Sequence, residues 1–545
     1  MSDVNPNSLI VRCNTLADVP ATLTGLALVG NIPLYGDGTN ITWLDKPYKR
    51  PKIASIGNSI NKLNVIDYTT GRMPAKSYIS WIYAFSGGGF DRVNSIPHWP
   101  VAAPAYSGAT AYYYGDMVSS GGINYFCIYK PVVGSESIAG IAVTDTTKWA
   151  PSSILTTNES MDILGNYGWS GGTAANILSS LPIVLGSYIG TPDIIYLTAI
   201  AENDFGNLAV STSIDNTKKI IQQIKAAFPK CLIILASPSQ SWGYSQSAQA
   251  LSDYNTYRTW VLGYSATDIF IEKNDANALG DPTLGLPNYN NTGDNWGNPN
   301  AVNIHPNERG ACIRAKSFVS QLSFLLGNSL DIPTANPTSS PSNIAGAKGG
   351  VFNPNPDLTL TTGAAQNTVG SITIGSIYWT KNTGNLAYDL QVNPTGVELD
   401  MSSTGVTPGD STHIYNNYFY ASNDAAEQTD ANNVSATNVT DGFFTAHYKV
   451  KILDATNIAT ITMQISFGTI ASHIVIVPFQ FDNAFYAGLD GALAAGDELT
   501  ISTWPFTLRD KNSFMGLTCK VTMLATAAAA AGPKVEIQRM QIVKI

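Results

Sequence analysis

The sequence is poor in charge: 13% of its 545 residues are Asp, Glu, Lys or Arg, and the net charge is −9. No basic tract appears, so neither nucleic acid nor an anionic membrane surface is expected as a partner. No stretch approaches the roughly 18 consecutive apolar residues of a spanning helix, so we expect no membrane insertion. The first residues, MSDVNPNSLIVRC, lack a cationic start followed by an apolar core, and we therefore expect no signal peptide.

Cysteine and histidine are also scarce, with five of each. The cysteines are far apart and show no CxxC spacing, so a disulfide framework or a zinc site is not expected, and we predict that most of them are buried. The sequence has no clustered set of His, Cys and Asp ligands and no P-loop. We therefore expect neither a metal nor a cofactor.

Gly, Tyr, Asn, Ser and Thr are abundant instead, a composition typical of β-rich extracellular or virion proteins. A chain of this length predicts roughly three or four domains. Continuous apolar runs at 193–200 and 231–237 flank a segment of helical spacing at 216–229, which predicts a βαβ unit. Short alternating runs follow a Pro-, Ser-, Asn- and Gly-rich stretch in the C-terminal part, which predicts a linker and then a β-sandwich.

The predicted fold class is α/β with additional all-β parts. In chain order we predict a small N-terminal β element or arm (1–50), an α/β domain with parallel strands (51–103 plus 152–328), a small all-β insertion (104–151), a linker (329–350) and a jelly-roll-like C-terminal β-sandwich (351–545).

The stretch PKIASIGNSINKLN offers a candidate nucleophile. A short apolar run ends at Gly57-Asn58-Ser59, so Ser59 would lie at the carboxyl end of a buried strand, where α/β folds build their sites. The alternative is that the Asn-Ser pair after the strand merely caps the next helix, which is the commoner role of such residues.

Three later segments contain groups that a serine nucleophile needs. The glycines of GNYGWSGGTAANIL (165–178) let backbone amides approach a ligand, and Thr173 can cap the following helix. Asn203 in TAIAENDFGN (198–207) could donate its side-chain amide to an oxyanion, while Asp204 could fix the loop. His305 in NIHPNERG precedes a helix-like segment. The respective alternatives are a glycine-rich turn, an Asx turn and a structural histidine.

Together these four segments resemble the blocks of the SGNH (GDSL-like) hydrolase family, in the same order. The resemblance covers roughly residues 50–103 and 152–328 and implies a three-layer α/β/α domain with a parallel sheet. It implies that Ser59 is the nucleophile, that its amide, the Gly171 amide and the Asn203 side chain form the oxyanion hole, and that His305 is the general base.

Two positions depart from the family pattern. Ala201 stands where the family has glycine, which is acceptable if the backbone there does not have positive φ. Val302 stands where the family usually has an aspartate, three residues before the histidine. His305 would then be oriented by a backbone carbonyl, by Asn303 or by a distant carboxylate such as Asp294, or the site is degenerate and non-catalytic.

The inserted segment contains AYYYGDMVSSGGINYFCIYKPVVG and resembles chitinase-type carbohydrate-binding modules. This resemblance implies a sugar-stacking role for Tyr129, although its neighbour Lys130 replaces the second aromatic. The alternative is that Tyr112, Tyr125 and Trp149 simply form the core of a small β fold.

The whole arrangement resembles bacteriophage tail spikes that carry an SGNH deacetylase. It implies an O-acetylesterase acting on bacterial surface polysaccharide (capsule or O-antigen), a homotrimer attached to a phage tail and a virion location. Two alternatives are a non-catalytic sugar-binding attachment protein and a lipid esterase, the latter disfavoured by the abundance of Tyr, Asn and Gly.

Overall fold

The structure is a computed structural model. It describes residues 10–13, 24–29, 32–37, 41–43, 50–65, 77–98, 103–130, 137–152, 158–238, 247–266, 268–273, 280–281, 286–287, 305, 308–327, 372–374, 377–381, 389–393, 396–401, 411–418, 444–467, 474–477, 493–503, 515–523 and 532–544.

Four short strands near the N-terminus form one sheet. They are β1 (Ile10–Cys13), β2 (Thr24–Val29), β3 (Ile32–Asp37) and β4 (Ile41–Trp43). The strands pair in chain order, β1 parallel to β2 and the other neighbours antiparallel. This sheet lies within the range predicted as a small N-terminal β element.

The α/β domain begins with a strand that is buried along almost its whole length. Its first elements are β5 (Lys52–Asn58), α1 (Ser59–Lys62), α2 (Tyr78–Phe85) and β6 (Asp91–Arg92). The strand forms because Ile53 to Ile56 are apolar or small and covered on both faces. Gly57 is required at its end, since a Cβ there would lie 1.9 Å from the carbonyl oxygen of Thr198.

The insertion forms a separate three-stranded antiparallel sheet. Its strands are β7 (Met117–Ser120), β8 (Ile123–Cys127) and β9 (Trp149–Ser152). Tyr112 and Trp149 are buried in its core, with ring centroids 5.2 Å apart, and Tyr125 packs against them. The alternative in which these aromatics form a small β core is therefore confirmed.

The chain then returns to the α/β domain. The remaining elements are β10 (Glu159–Met161), β11 (Asn166–Trp169), α3 (Ala174–Gly186), β12 (Ile194–Thr198), α4 (Val210–Ala227), β13 (Leu232–Ala236), α5 (Ala248–Gly263), β14 (Ile269–Glu272), the short pair β15 (Gly280–Asp281) and β16 (Leu286–Pro287), and α6 (Glu308–Leu322).

The sheet of this domain has the order β10-β11-β5-β12-β13-β14, with β6 also beside β5. All its pairings are parallel except that of β10 with β11. One core cluster joins the sheet to α3, α4 and α5, and a second joins it to α2 and α6. The predicted βαβ unit is β12-α4-β13, and the predicted three-layer α/β/α fold is confirmed.

The C-terminal part is a two-sheet β-sandwich. Its strands are β17 (Ile372–Ile374), β18 (Ile377–Lys381), β19 (Asp389–Asn393), β20 (Gly396–Asp400), β21 (Ser411–Tyr418), β22 (Phe444–Asp454), β23 (Ile458–Phe467), β24 (Ile474–Val477), β25 (Glu498–Ser502), β26 (Met515–Met523) and β27 (Lys534–Lys544). The sheet orders are β17-β18-β21-β26-β23-β24 and β19-β20-β27-β22-β25, all antiparallel. The predicted fold class is thus confirmed, while the predicted linker lies outside the described residues.

The sandwich packs against helices α2 and α6. The Tyr83 hydroxyl donates a hydrogen bond to Ser502 Oγ at 2.8 Å, and Lys316 Nζ lies 2.6 Å from Asp497 Oδ2. The two domains therefore share a continuous hydrophobic core. Within the described part of the chain, no helix is long and apolar enough to cross a membrane.

Candidate active site

Three parallel strands end side by side at one edge of the sheet. Gly57 pairs with Gly168 of β11 on one side and with Thr198 of β12 on the other. Because parallel strands point the same way, the segments that follow them emerge together. The Ser59 turn, the glycine-rich loop after β11 and the Asn203 loop therefore leave neighbouring strands at the same edge of the sheet.

Ser59 is the first residue of α1, and its hydroxyl does not cap the helix. The N-cap is Asn58, whose Oδ1 accepts a hydrogen bond from the Ile60 amide at 2.9 Å. Among the hydrogen bonds of the described residues, none uses the Oγ of Ser59, and the residue is 8% exposed. Within the Asn-Ser pair it is therefore Asn58 that caps the helix, and the Ser59 hydroxyl has no part in the cap.

The loop after β11 approaches α1 very closely. A Cβ at Gly168 would lie 2.4 Å from the backbone nitrogen and Cα of Lys62, so only glycine fits there. Gly171 is exposed and has a φ of +69°, a backbone conformation that favours glycine. Thr173 caps α3 through a capping box with Asn176, which confirms its predicted role.

Asn203 is held against this glycine-rich loop. Its Nδ2 donates a hydrogen bond to the Gly172 carbonyl oxygen at 2.9 Å. A side-chain amide has two N–H groups, so this bond orients the amide and leaves a second hydrogen for a ligand. Asp204 Oδ1 accepts a hydrogen bond from the Ala174 amide at 3.2 Å, which ties the loop to α3 and confirms the predicted fixing role.

The backbone between β12 and Asn203 departs from ordinary geometry at one residue. Ala199 has a φ of +52°, whereas Ala201 is not among the described residues with positive φ. The alanine at the family's glycine position is therefore accommodated without strain. Left-handed backbone at a non-glycine residue costs roughly 1–3 kcal/mol and persists where the surroundings impose it. Here the Ala199 carbonyl oxygen accepts a hydrogen bond from the Asn58 amide at 3.2 Å, beside the candidate nucleophile.

His305 is partly buried and lies three residues before α6. Val302, Asp294 and Asn303 lie outside the described residues. The identity of the group that orients His305 therefore stays a prediction.

A buried polar network that the sequence reading missed lies beneath Ser59. Asn61, two residues further along α1, donates hydrogen bonds to the Tyr167 carbonyl oxygen and, at 3.2 Å, to Ser55 Oγ. Ser55 in turn donates to Asn166 Oδ1 at 2.8 Å. The network joins α1 to β5 and β11. The asparagines of GNSINKLN are the sequence signal for this network, because a buried asparagine side chain needs several hydrogen-bond partners.

Glu202, which was also missed, is a buried carboxyl group next to Asn203. It is 7% exposed, and its Oε2 has no hydrogen-bond partner among the described residues. Loss of hydration raises the pKa of Glu202 to about 7. Hydrogen bonds from backbone amides and the positive charge of Arg314 only partly oppose this shift. Burial therefore keeps the proton on this group to a higher pH than on an exposed carboxyl group.

Tyr129, the predicted sugar-stacking residue, is 8% exposed and belongs to the core of the inserted module. Lys148 Nζ lies 4.7 Å from the centroid of its ring. A sugar ring stacks on an open aromatic face, so the placement of Tyr129 gives this role no support.

The described part of the chain contains no group of three or more His, Cys, Asp or Glu side chains that could hold a metal ion. Four cysteines have described side chains, and all four are buried, as predicted.

No protein-family model and no curated protein matches the chain. Among solved structures, it is similar to a carbohydrate esterase family 3 protein from Talaromyces cellulolyticus, at 13% identity over 50% of this chain and 97% of that chain, with a TM-score of 0.28. It is also similar to a Clostridium thermocellum family 3 carbohydrate esterase, at 16% identity over 51% and 98% of the two chains, with a TM-score of 0.25. A xylan-binding module shares 13% identity over 33% of this chain and 97% of its own, with a TM-score of 0.18. At these identities and TM-scores, the chemistry of this chain has to be argued from its own residues.

Proposed function

We propose that this protein is a serine esterase that removes O-acetyl groups from a bacterial surface polysaccharide. One observation carries the proposal: the ends of three adjacent parallel strands bring Ser59, Gly171 and Asn203 to one edge of the sheet, and no described partner engages the Ser59 hydroxyl. A nucleophile next to a set of amide donors is the arrangement that acyl transfer needs.

In this mechanism Ser59 Oγ attacks the carbonyl carbon of the acetyl ester. His305 accepts the proton from Oγ and passes it to the leaving sugar oxygen. The negative charge on the former carbonyl oxygen is stabilised by the amides of Ser59 and Gly171 and by the second N–H of Asn203. Water, activated by His305, then hydrolyses the acetyl-serine and releases acetate.

The absence of the usual aspartate at Val302 does not prevent this chemistry. The third member of a triad orients the histidine and stabilises its charged form, but it does not accept the proton. We propose that His305 is oriented by Asp294, Asn303 or a backbone carbonyl.

The substrate class and setting are the part of the proposal that rests on composition and domain layout. A Gly-, Asn- and Tyr-rich chain with an inserted β module and a β-sandwich packed on the α/β domain fits a phage tail spike. We propose a homotrimer attached to the phage tail that acts at the bacterial surface. Light scattering of the purified chain checks this directly, because a trimer has three times the 58.0 kDa mass of one chain.

Acetate release tests the activity. p-Nitrophenyl acetate and acetylated capsule or O-antigen would be incubated with the wild type, Ser59→Ala and the control Ser237→Ala. Ser237 is a buried serine that directly follows β13 at the same edge of the sheet, so it controls for loss of a hydroxyl there. We expect loss of roughly 10⁴-fold or more in Ser59→Ala and near wild-type rates in Ser237→Ala.

Equal loss in both serine variants, or full activity in Ser59→Ala, would overturn the assignment of the nucleophile. A wild type that binds polysaccharide but releases no acetate would instead identify a sugar-binding attachment protein on a degenerate hydrolase fold.

A further inference from the structure

The helices next to the proposed nucleophile and base are joined by buried side chains. Ser59 begins α1, and His305 lies just before α6. Arg314 lies on α6 and is 2% exposed, although it carries a charge. A series of side-chain contacts leads from Arg314 to α1.

Arg314 ties α6 to the edge of the sheet where the site is built. Its Nη2 donates hydrogen bonds to Thr198 Oγ1 at 2.6 Å and to Glu272 Oε2 at 3.2 Å. Thr198 is the last residue of β12 and Glu272 the last of β14. The guanidinium group is therefore fixed at the carboxyl ends of two strands. One of its partners, Thr198, directly precedes the strained residue Ala199 in the chain.

Tyr78 on α2 continues this contact to α1. The guanidinium carbon of Arg314 lies 4.1 Å from the centroid of the Tyr78 ring, a cation–π distance. The Tyr78 hydroxyl donates a hydrogen bond to Asn61 Oδ1 at 2.7 Å. Both Tyr78 and Asn61 are fully buried. An unbroken series of contacts thus runs from α6 through Arg314, Tyr78 and Asn61 to the helix that begins with Ser59.

Stability alone does not account for such an arrangement. Replacing a buried ion pair by apolar side chains of similar volume is often neutral or stabilising, because two charges lose their hydration. A rigid guanidinium with several fixed partners does, however, set the position of one helix relative to another. His305 lies three residues before α6, so the position of this helix bears on the position of the imidazole ring.

We propose that Arg314 and Tyr78 are positioning residues for ester hydrolysis, which together hold α6 and α1 in the register that brings His305 to Ser59. The inference rests on the proposed esterase function and deepens it. Neither side chain is assigned any contact with the substrate.

The first test is Tyr78→Phe, which removes one hydroxyl and keeps the ring under Arg314. The matched control is Tyr257→Phe. Tyr257 is equally buried, but it belongs to the core cluster on the other face of the sheet, where its hydroxyl lies 2.9 Å from Thr217 Oγ1. With p-nitrophenyl acetate we expect Tyr78→Phe to lose about 10- to 100-fold in kcat with KM nearly unchanged, because a misplaced catalytic group affects the chemical step. The control should lose a similar amount of thermal stability and keep its kcat.

The second test couples the two residues. Arg314→Lys keeps the charge but loses the planar fork, and we expect it to lower kcat as well. The double variant Tyr78→Phe with Arg314→Lys should lose little more than the worse single variant, because both changes break one series of contacts.

The outcomes separate the two proposals. A wild type without acetate release overturns the esterase function and this inference with it. An active wild type in which Tyr78→Phe keeps its kcat overturns only the positioning role. Equal loss of kcat in Tyr78→Phe and Tyr257→Phe also overturns the positioning role, since the effect would then be general destabilisation. Fully additive losses of kcat in the double variant overturn it as well.

Discussion

The buried carboxyl group of Glu202 should make the α/β domain less stable as the pH rises. Its pKa is raised from the ordinary value of 4.5 to about 7 because burial disfavours the charged form. Below pH 4.5 the group is protonated in both the folded and the unfolded chain, so it has no effect. Between pH 4.5 and 7 the folded chain keeps the proton that the unfolded chain has released, so rising pH favours unfolding.

The size of the effect follows from the shift. Each pKa unit corresponds to about 1.4 kcal/mol, so a shift from 4.5 to about 7 corresponds to about 3 kcal/mol above pH 7. Glu202→Gln has a neutral side chain of the same shape and removes this penalty. We expect the variant to match the wild type at pH 4 and to be more stable by about 3 kcal/mol at pH 8.

Urea unfolding at pH 4, 6 and 8, followed by tryptophan fluorescence, measures the difference. At pH 8 the loss of ester hydrolysis with rising urea identifies which transition belongs to the α/β domain. Tracking activity restricts the measurement to the α/β domain, because a chain of several domains need not unfold in one step. A stability difference that is the same at all three pH values, or that favours the wild type at pH 8, would refute the reasoning.

Three further predictions concern single sites. Gly168→Ala places a Cβ 2.4 Å from backbone atoms of Lys62, so we expect a loss of about 1–3 kcal/mol and a lower kcat. Gly186→Ala, a helical position with no atom within 4 Å, should keep its kcat and lose no stability; thermal unfolding and acetate release compare the pair. Asn58→Ala removes the cap of α1 and should cost about 1 kcal/mol, measured by thermal unfolding, with unchanged stability contradicting the capping role. Burial lowers the pKa of His447 from 6.5 to about 3, so below pH 6.5 the unfolded chain takes up a proton that the folded chain does not, and stability should fall. His447→Gln should make this fall in stability between pH 7 and pH 4.5 smaller in urea unfolding. An equal fall in the variant and the wild type would contradict the prediction.

Much of the α/β domain could be predicted because its signals are local. The apolar run before Gly57 and the βαβ unit around α4 read as strands and helices from the spacing of a few neighbouring residues. Parallel strands then bring their carboxyl ends together whatever the details of packing. This geometric rule predicts the position of Ser59 from the sequence, whereas Gly171 and Asn203 were joined to it through the family resemblance.

The errors and omissions arose where the role of a side chain depends on its neighbours in space. Whether Asn58 or Ser59 caps α1 depends on which side chain the turn directs back at the helix. Tyr129 looked available for sugar stacking, but the fold of the inserted module covers it. Neither outcome could be predicted from the residue types.

The sequence by itself therefore determined the βαβ unit, the C-terminal β-sandwich and the strand end at which Ser59 lies, since periodicity and strand direction are properties of short segments. The three-layer architecture was an implication of the family resemblance. Only the tertiary structure decided that Arg314 contacts Tyr196 across 118 positions of sequence, that Tyr78 lies under its guanidinium, and that Glu202 is buried without a described partner for Oε2. Burial, the partners of charged groups and the pKa values that follow depend on segments that meet only when the whole domain packs.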